Sequence, residues 1–205
     1  MKHVFKVLAS WVLFLTGAYF ILSGGLDYYS AHKSQTEAAA FWKDTPADSA
    51  PTSTTIIPEP PTTNLDCGGP VARLRIPRLQ ADLYVIEGTG QRELHKAPGH
   101  MEGTSFPGEP GNCVIAGHRD THFRVLQNIR KGEEIVLENT QGRQFRYRVT
   151  QLSVVSPNNT KCLQDTKEPV LNLVTCYPFH YVGSAPKRFV VHAELDSPIP
   201  LQSGT

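Results

Sequence analysis

The stretch LVTCYPFHYVGSAPKRFVV, residues 173–191, decides the fold of this chain. Two apolar, β-branched runs flank a loop that contains proline and glycine, and this pattern predicts two strands joined by a turn. Cys176 ends the first run, and Arg188 opens the second. A thiol held at the end of a buried strand, with a guanidinium entering the next strand, is a candidate reaction centre. The best candidate for its base is His118, in the segment IAGHRDTHF at 115–123.

Short apolar runs, broken by Gly, Pro, Asn and Asp, continue outward from this stretch. They predict strands over residues 71–76, 82–86, 112–117, 133–139, 143–155, 170–176 and 188–195. Residues 140–142 mark a hairpin, and a phase shift within 143–155 indicates a β-bulge. Residues 123–129 predict one or two helical turns, and the Gly- and Pro-rich segment 98–111 predicts a loop. The sequence therefore predicts an all-β barrel or sandwich with a single core.

The charge of the chain is balanced, with 20 Lys and Arg against 19 Asp and Glu. A nucleic-acid-binding protein usually shows a basic face and a high isoelectric point. The balance therefore argues against nucleic acid as a partner.

The N-terminus has the pattern of a membrane anchor. Lys2 and Lys6 precede the uncharged segment 7–26, whose 20 residues as a helix would span the hydrocarbon core of about 30 Å. The positive-inside rule places the N-terminus in the cytoplasm and the rest of the chain outside it. The alternative is a cleaved signal peptide, which also places the rest outside the cytosol.

The composition divides the chain into four parts. Residues 1–42 form the predicted anchor and juxtamembrane segment, and residues 43–69, rich in Pro, Thr and Ser, form a predicted stalk. Residues 70–198 form the predicted folded domain, and residues 199–205 form a C-terminal tail.

The four cysteines do not form a C-x-x-C pair, which argues against a structural zinc site. Disulfides are possible in an oxidising compartment. If Cys176 is reactive and Cys113 is a buried apolar thiol, a Cys67–Cys162 bridge is the remaining option.

The other histidines are predicted to lie outside the site. His118 and His122 are four residues apart, but they follow a strand and lack the glutamate of an H-E-x-x-H zinc site. His100, His180 and His192 are interpreted as structural or surface residues.

Cys176, His118 and Arg188 suit nucleophilic acyl transfer. A thiolate is the reactive form of cysteine, and a nearby imidazole can accept its proton or stabilise it as an ion pair. Negative charge then develops on a carbonyl oxygen, where the permanently charged guanidinium of Arg188 can donate.

Several motifs together resemble the sortases, and most of all their class D type. They are IAGHRDTHF at 115–123, LVTCYPF at 173–179, YVG at 181–183, AP at 185–186 and KRF at 187–189. The resemblance covers residues 70–196 and includes the Gly- and Pro-rich segment before the histidine. Asn172 departs from the family's TLxTC pattern, where threonine is usual.

The resemblance implies a closed eight-stranded β-barrel with short helices or 3-10 turns, preceded by an N-terminal transmembrane helix. It implies a cysteine transpeptidase that cleaves an LPxTG-like sorting signal through a thioester on Cys176. His118 would protonate the departing amine and later deprotonate the incoming one, and Arg188 would bind the substrate or the oxyanion. The acceptor would be an amine of the cell wall, a pilin or another surface protein. We expect neither a cofactor nor a required metal.

Two other functions stay open on the sequence. A surface cysteine peptidase would use the same three residues and let water resolve the thioester. A non-catalytic binding head would not depend on Cys176 at all.

Overall fold

The computed structural model describes residues 11–19, 33–40, 42, 69–181 and 183–199, with the backbone alone for 197–199. Eight strands close into a barrel, which confirms the predicted all-β barrel. The strands are β1 (Pro70–Ile76), β2 (Ala81–Glu87), β3 (Gly99–His100), β4 (Asn112–Gly117), β5 (Glu134–Asn139), β6 (Gln144–Val155), β7 (Val170–Tyr177) and β8 (Lys187–Ile199).

The order around the barrel is β1-β2-β3-β4-β7-β8-β6-β5, and β5 pairs back with β1. The β2–β3 and β4–β7 pairs are parallel, whereas the other pairs between these strands are antiparallel. The order brings the predicted histidine strand β4 next to the predicted cysteine strand β7, and β7 next to β8.

Alternating side chains of the strands fill the interior of the barrel. Leu74, Ile115, Leu137 and Leu173 are fully buried there, and each comes from a different strand. Because successive side chains of a strand point to opposite faces, the residues between them form the outer surface. The outward-pointing side chains of β4, β7 and β8 can therefore form a functional site.

Strand β3 corrects the prediction of a continuous loop over 98–111. The two residues Gly99 and His100 pair with β2 and β4 and so close the barrel between them. A Cβ at Gly99 would lie 1.9 Å from the carbonyl oxygen of Gly88, so only glycine fits this close approach. Two residues are too few to show a hydrophobic period, which is why the sequence pattern missed the strand.

The bulge predicted in 143–155 is confirmed. The register between β6 and β8 shifts between Arg146 and Tyr147 and again between Val149 and Gln151. The connections carry short helices, namely the α-helix Gln91–Lys96 and the 3-10 helices Pro77–Leu79, His122–Asn128 and Lys161–Leu163. The His122–Asn128 helix covers nearly all of the segment for which one or two helical turns were predicted.

The N-terminal part is described only at 11–19, 33–40 and 42, all of them helical. Within the described ranges, no helix has the length and apolar character needed to cross a membrane. The rest of the predicted span at 7–26 lies outside the described residues, as do residues 43–68 of the predicted stalk and the tail beyond 199. The predicted division of the chain into four parts stays a prediction.

The helical residues 33–40 and 42 contact the outside of the barrel. The side-chain amide of Gln35 accepts a hydrogen bond from the backbone N–H of Tyr84 at 2.8 Å and donates to its carbonyl oxygen at 3.2 Å. Trp42 donates from Nε1 to Glu138 Oε1 at 3.2 Å, and its ring lies 6.0 Å from that of Tyr84. Tyr84 is in β2 and Glu138 is in β5, so these contacts lie away from β7.

Candidate active site

Cys176 lies near the carboxyl end of β7, on the outer face of the barrel. Leu171 and Leu173 point into the core, so Asn172, Val174 and Cys176 point outward. The thiol is half-buried, and β4 and β8 flank its strand on the two sides. The sheet therefore holds the backbone of Cys176 firmly while its sulfur stays accessible.

His118 directly follows β4, which runs parallel to β7. Gly117 pairs with Thr175, and Thr175 Oγ1 donates a hydrogen bond to the Gly117 carbonyl oxygen at 2.7 Å. The next residues of the two segments are His118 and Cys176. Because neighbouring strands lie about 4.8 Å apart, the backbones of His118 and Cys176 lie at adjacent positions on the same edge of the sheet.

Gly117 allows the following 3-10 helix to pack tightly beneath His118. A Cβ at Gly117 would lie 2.8 Å from the ring of Phe123, which is fully buried. The backbone N–H of Phe123 also donates to the carbonyl oxygen of His118 at 3.0 Å. The ring contact and the hydrogen bond together fix the backbone that carries the imidazole.

Arg188 stands directly opposite Cys176 in the antiparallel β7–β8 ladder. Its Nη1 donates to the carbonyl oxygens of Ala185 at 3.2 Å and Lys187 at 3.0 Å, so the guanidinium also braces the loop before β8. A guanidinium has five N–H donors, and these two bonds leave others for a ligand.

The structure thus brings Cys176, His118 and Arg188 to neighbouring positions on three adjacent segments, β4, β7 and β8. Their catalytic roles stay a prediction. A thiol, an imidazole and a guanidinium in this arrangement can attack a carbonyl carbon, transfer a proton and bind an oxyanion.

The other described cysteines do not suit a nucleophile. Burial raises the pKa of the Cys113 thiol to about 12, and burial also raises the pKa of Cys162. Cys113, Cys162 and Cys176 are all free thiols. The structure therefore gives no support to the Cys67–Cys162 bridge, although Cys67 itself lies outside the described residues.

Three other histidines have different surroundings. Burial lowers the pKa of His122 to about 4, so its imidazole is neutral at ordinary pH and cannot serve as an acid. His100 is buried, bonds Glu87 Oε2 through Nδ1 at 2.8 Å and stacks on Phe106. His180 is exposed in the β7–β8 loop. The interpretation of His100 as structural agrees with these contacts.

Arg119 is a residue of the site that sequence reasoning missed. Its Nη1 donates to the carbonyl oxygen of Pro178 at 3.1 Å, and its Nη2 donates to those of Tyr181 at 2.8 Å and Gly183 at 3.2 Å. The guanidinium carbon also lies 5.7 Å from the centre of the Tyr181 ring. Arg119 therefore ties the segment that carries His118 to the loop that joins the cysteine strand to the arginine strand.

Replacing Arg119 with methionine should loosen the β7–β8 loop. The change keeps the apolar stem but removes three hydrogen bonds from a charged donor, each worth about 1.5–3 kcal/mol. Hydrogen exchange followed by mass spectrometry should show faster exchange of the amides between β7 and β8. The matched control is Arg124→Met, at an exposed position of the adjacent 3-10 helix. Equal exchange in the loop of both variants would contradict the role of Arg119.

No group of three or more His, Cys, Asp or Glu side chains in the described ranges could hold a metal ion. The expectation that the chain requires no metal stays a prediction.

The closed eight-stranded barrel carries a thiol, an imidazole and a guanidinium at neighbouring positions of three adjacent segments. The family model described as "Sortase domain" matches residues 74–196, which is more than half of the chain. The chain therefore belongs to the sortase family.

Named relatives agree with this assignment. The chain is 39% identical over 123 residues to Sortase D of Bacillus subtilis (strain 168), covering 59% of this chain and 61% of the relative. It is 24% identical over 206 residues to Sortase A of Bacillus anthracis, covering 95% of each. The match to the Bacillus subtilis protein thus spans about three fifths of that protein's length.

Solved structures show the same barrel. A Sortase D5 transpeptidase of Clostridium perfringens superposes with a TM-score of 0.57 at 29% identity, covering 64% of this chain and 81% of that chain. Sortase A from Corynebacterium diphtheriae superposes with a TM-score of 0.58 at 29% identity, covering 64% of this chain and 63% of that chain. The resemblance to class D, first inferred from the motifs, is confirmed by these comparisons.

Proposed function

We propose that this chain is a membrane-anchored cysteine transpeptidase that cleaves an LPxTG-like sorting signal and transfers its acyl part to an amine. The observation that carries the proposal is the position of Cys176 directly opposite Arg188, with His118 at the end of the adjacent parallel strand. The relatives named Sortase D and Sortase A support the same class of reaction.

In the first half of the reaction, the thiolate of Cys176 attacks the carbonyl carbon of the threonine in the signal. The carbon–nitrogen bond then breaks, and protonated His118 gives its proton to the departing amine. The product is a thioester between the enzyme and the acyl part of the substrate.

In the second half, neutral His118 accepts a proton from the incoming amine as the amine attacks the thioester. The carbon–sulfur bond breaks, a new amide forms and the thiolate of Cys176 returns. The reaction needs no further reactant, because one amide bond is exchanged for another.

Arg188 stabilises the oxyanion that forms in both halves. One donor to such an oxygen is worth about 10²–10³ in rate. Two loop carbonyl oxygens fix the guanidinium of Arg188, whose backbone stands opposite Cys176, so the donor is oriented before the charge develops.

The proposed location is the outer side of the cytoplasmic membrane, with the N-terminus inside and the lipid contacted by the N-terminal helix. Lys2 and Lys6 before an uncharged segment support this orientation. In the described part of that segment, Trp11, Leu13 and Phe14 are exposed by 59%, 76% and 67%. Large apolar side chains exposed together on a helix favour contact with lipid.

The proposal is tested with the full-length chain in detergent, an LPxTG-like peptide and triglycine as the amine. Mass spectrometry should detect the thioester on Cys176 and, when triglycine is present, a peptide extended by the three glycines. Free acid alone, formed at the same rate with and without triglycine, would assign the chain to the hydrolytic peptidases instead. Peptide that stays uncleaved in both reactions would favour the alternative of a non-catalytic binding domain.

A further inference from the structure

The helix that precedes the barrel turns one face toward it. Its half-buried positions recur at the spacing i, i+3, i+4 and i+7, which places them on one side of an α-helix. They include Gln35, Ala38, Ala39 and Trp42. The other face, which carries Glu37, is exposed. The two alanines have short side chains and so allow the helix to approach the strands closely.

Gln35 on this face closes an open edge of β2. The backbone N–H of Ile86 donates to the carbonyl oxygen of Pro98 at 3.0 Å, so the backbone of Ile86 faces β3. The N–H and C=O groups of Tyr84, two residues earlier, face the same side. However, β3 begins only at Gly99, opposite Ile86. The carboxamide of Gln35 bonds both groups of Tyr84, at 2.8 and 3.2 Å, and so takes the place of a strand there.

A second contact fixes the direction of the helix across the barrel. Tyr84 of β2, Arg73 of β1 and Glu138 of β5 are direct neighbours in the sheet. Gln35 bonds Tyr84, and Trp42 donates to Glu138 at 3.2 Å. Seven positions of helix rise about 10 Å, which matches two strand spacings of about 4.8 Å. The helix therefore crosses β2, β1 and β5 on the outside of the barrel.

The N-terminal end of the helix lies on the side of the barrel that carries the proposed catalytic histidine. Ser34 Oγ donates to the carbonyl oxygen of Lys96 at 2.6 Å. Three residues after Lys96, Gly99 pairs with Ala116 of β4, and β4 leads directly into His118. The chain that precedes Ser34 therefore leaves the barrel on this side.

The Pro-, Thr- and Ser-rich segment 43–69 starts and ends on the same barrel. Before it, Trp42 is bound to Glu138 of β5. After it, β1 begins, and Ala72 of β1 pairs with Asn139, the residue next to Glu138. Because both ends of the segment are held at neighbouring positions, its length adds nothing to the distance between the N-terminal anchor and the barrel.

The effective tether is then the short stretch from Leu26, where the uncharged segment ends, to Ser34. It counts eight residues, whereas forty-four residues separate Leu26 from Pro70, the first residue of β1. At about 3.5 Å per extended residue, eight residues reach at most about 28 Å.

We propose that the outer face of β2, β1 and β5 is the docking surface for the chain's own juxtamembrane helix, and that this docking holds the catalytic side of the barrel close to the membrane, for substrates that are held there as well. The inference rests on the proposed function, because it takes the uncharged segment 7–26 as the anchor. It changes the role expected for segment 43–69, from a stalk that lifts the barrel to a loop that starts and ends on it.

The test compares one LPxTG-like peptide in two forms, free in solution and joined to a lipid of the nanodisc that holds the full-length chain. The double variant Gln35→Ala, Trp42→Ala removes the docking contacts and lengthens the tether from eight to forty-four residues. Effective concentration falls roughly as the −3/2 power of tether length. We therefore expect the rate on the lipid-joined peptide to fall about ten-fold relative to the rate on the free peptide. This ratio, measured on one preparation, does not depend on how much of a variant is folded.

Two controls separate docking from other effects. Glu37→Gln changes the exposed face of the helix and should keep the ratio of the parent. Deletion of residues 46–61 from the parent should also keep it, because both ends of the loop stay on the barrel. If the segment were a stalk, this deletion would shorten the tether and raise the ratio about two-fold. A raised ratio after the deletion, or equal ratios in the parent and the double variant, would overturn the inference.

Energy transfer to dye-labelled lipids of the nanodisc gives a readout that needs no turnover. A fluorescent amino acid is placed either at Arg124, an exposed position of the 3-10 helix that follows His118, or at Gln141, at the tip of the β5–β6 hairpin. Transfer should be stronger from position 124, and the double variant should lose the difference. That result would support docking even if neither peptide were cleaved, which would refute only the proposed transpeptidase. Equal transfer from both positions in the parent would overturn the docked orientation.

Discussion

Cys176→Ala should abolish turnover of the sorting peptide and leave the barrel intact. The substitution removes the proposed nucleophile, and the neighbouring imidazole and guanidinium do not substitute for a thiol in forming a thioester. Mass spectrometry should find neither an acyl-enzyme nor a transfer product. The change in unfolding free energy should stay within about 1 kcal/mol, because the side chain is half-buried on the outer face.

The matched control is Cys113→Ala. Cys113 is 1% exposed inside the barrel, so its truncation leaves a small cavity and should lower the free energy of unfolding by about 1–2 kcal/mol. Its turnover should persist, since burial keeps its thiol protonated and β4 still presents His118. A Cys176→Ala protein that melts far below the parent, or that still yields transfer product, would show that Cys176 is a core residue and not the nucleophile.

The two strands that flank the β7–β8 loop were predicted from the sequence because apolar runs and a Pro/Gly loop are local signals. Their antiparallel pairing follows from a connection of nine residues between Tyr177 and Lys187. The parallel pairing of β4 with β7 was not visible, since more than 50 residues separate the two strands. It is this long-range pairing that brings His118 to Cys176, so the sequence identified the two residues but not the reason why they meet.

Other parts of the site lacked a sequence signal for different physical reasons. Arg119 binds three backbone carbonyl oxygens. Every residue has such an oxygen, so no residue type in the sequence marks these three as partners of Arg119. Asn172 stood out as a departure from the family motif, but its meaning depends on Asn112 and His192, which lie on other strands. The structure supplies both partners: Asn172 Nδ2 donates to Asn112 Oδ1 at 2.8 Å, and Nδ1 of His192, which was interpreted as structural or surface, lies 3.0 Å from Asn172 Oδ1.

Arg188→Lys should lower kcat/KM for thioester formation by about 10², although the charge is kept. The guanidinium of Arg188 binds two carbonyl oxygens of its own loop through Nη1 and still has donors for a ligand. Lysine has one nitrogen on a flexible stem, which either binds those carbonyl oxygens or reaches the oxyanion. The rate of thioester formation is measured in single-turnover experiments by mass spectrometry. These experiments separate the attack of Cys176 from the later reaction with the amine.

Arg130→Lys is the matched control, because Arg130 is an exposed arginine outside the β7–β8 ladder, and its rate should equal that of the parent. The loss in Arg188→Lys should appear equally in thioester formation and in its reaction with triglycine, since an oxyanion forms in both steps. A loss confined to the binding of peptide would instead make Arg188 a contact to the substrate chain. Near-normal rates in both steps would show that positive charge opposite Cys176 suffices, and that the geometry of the guanidinium contributes nothing to the reaction.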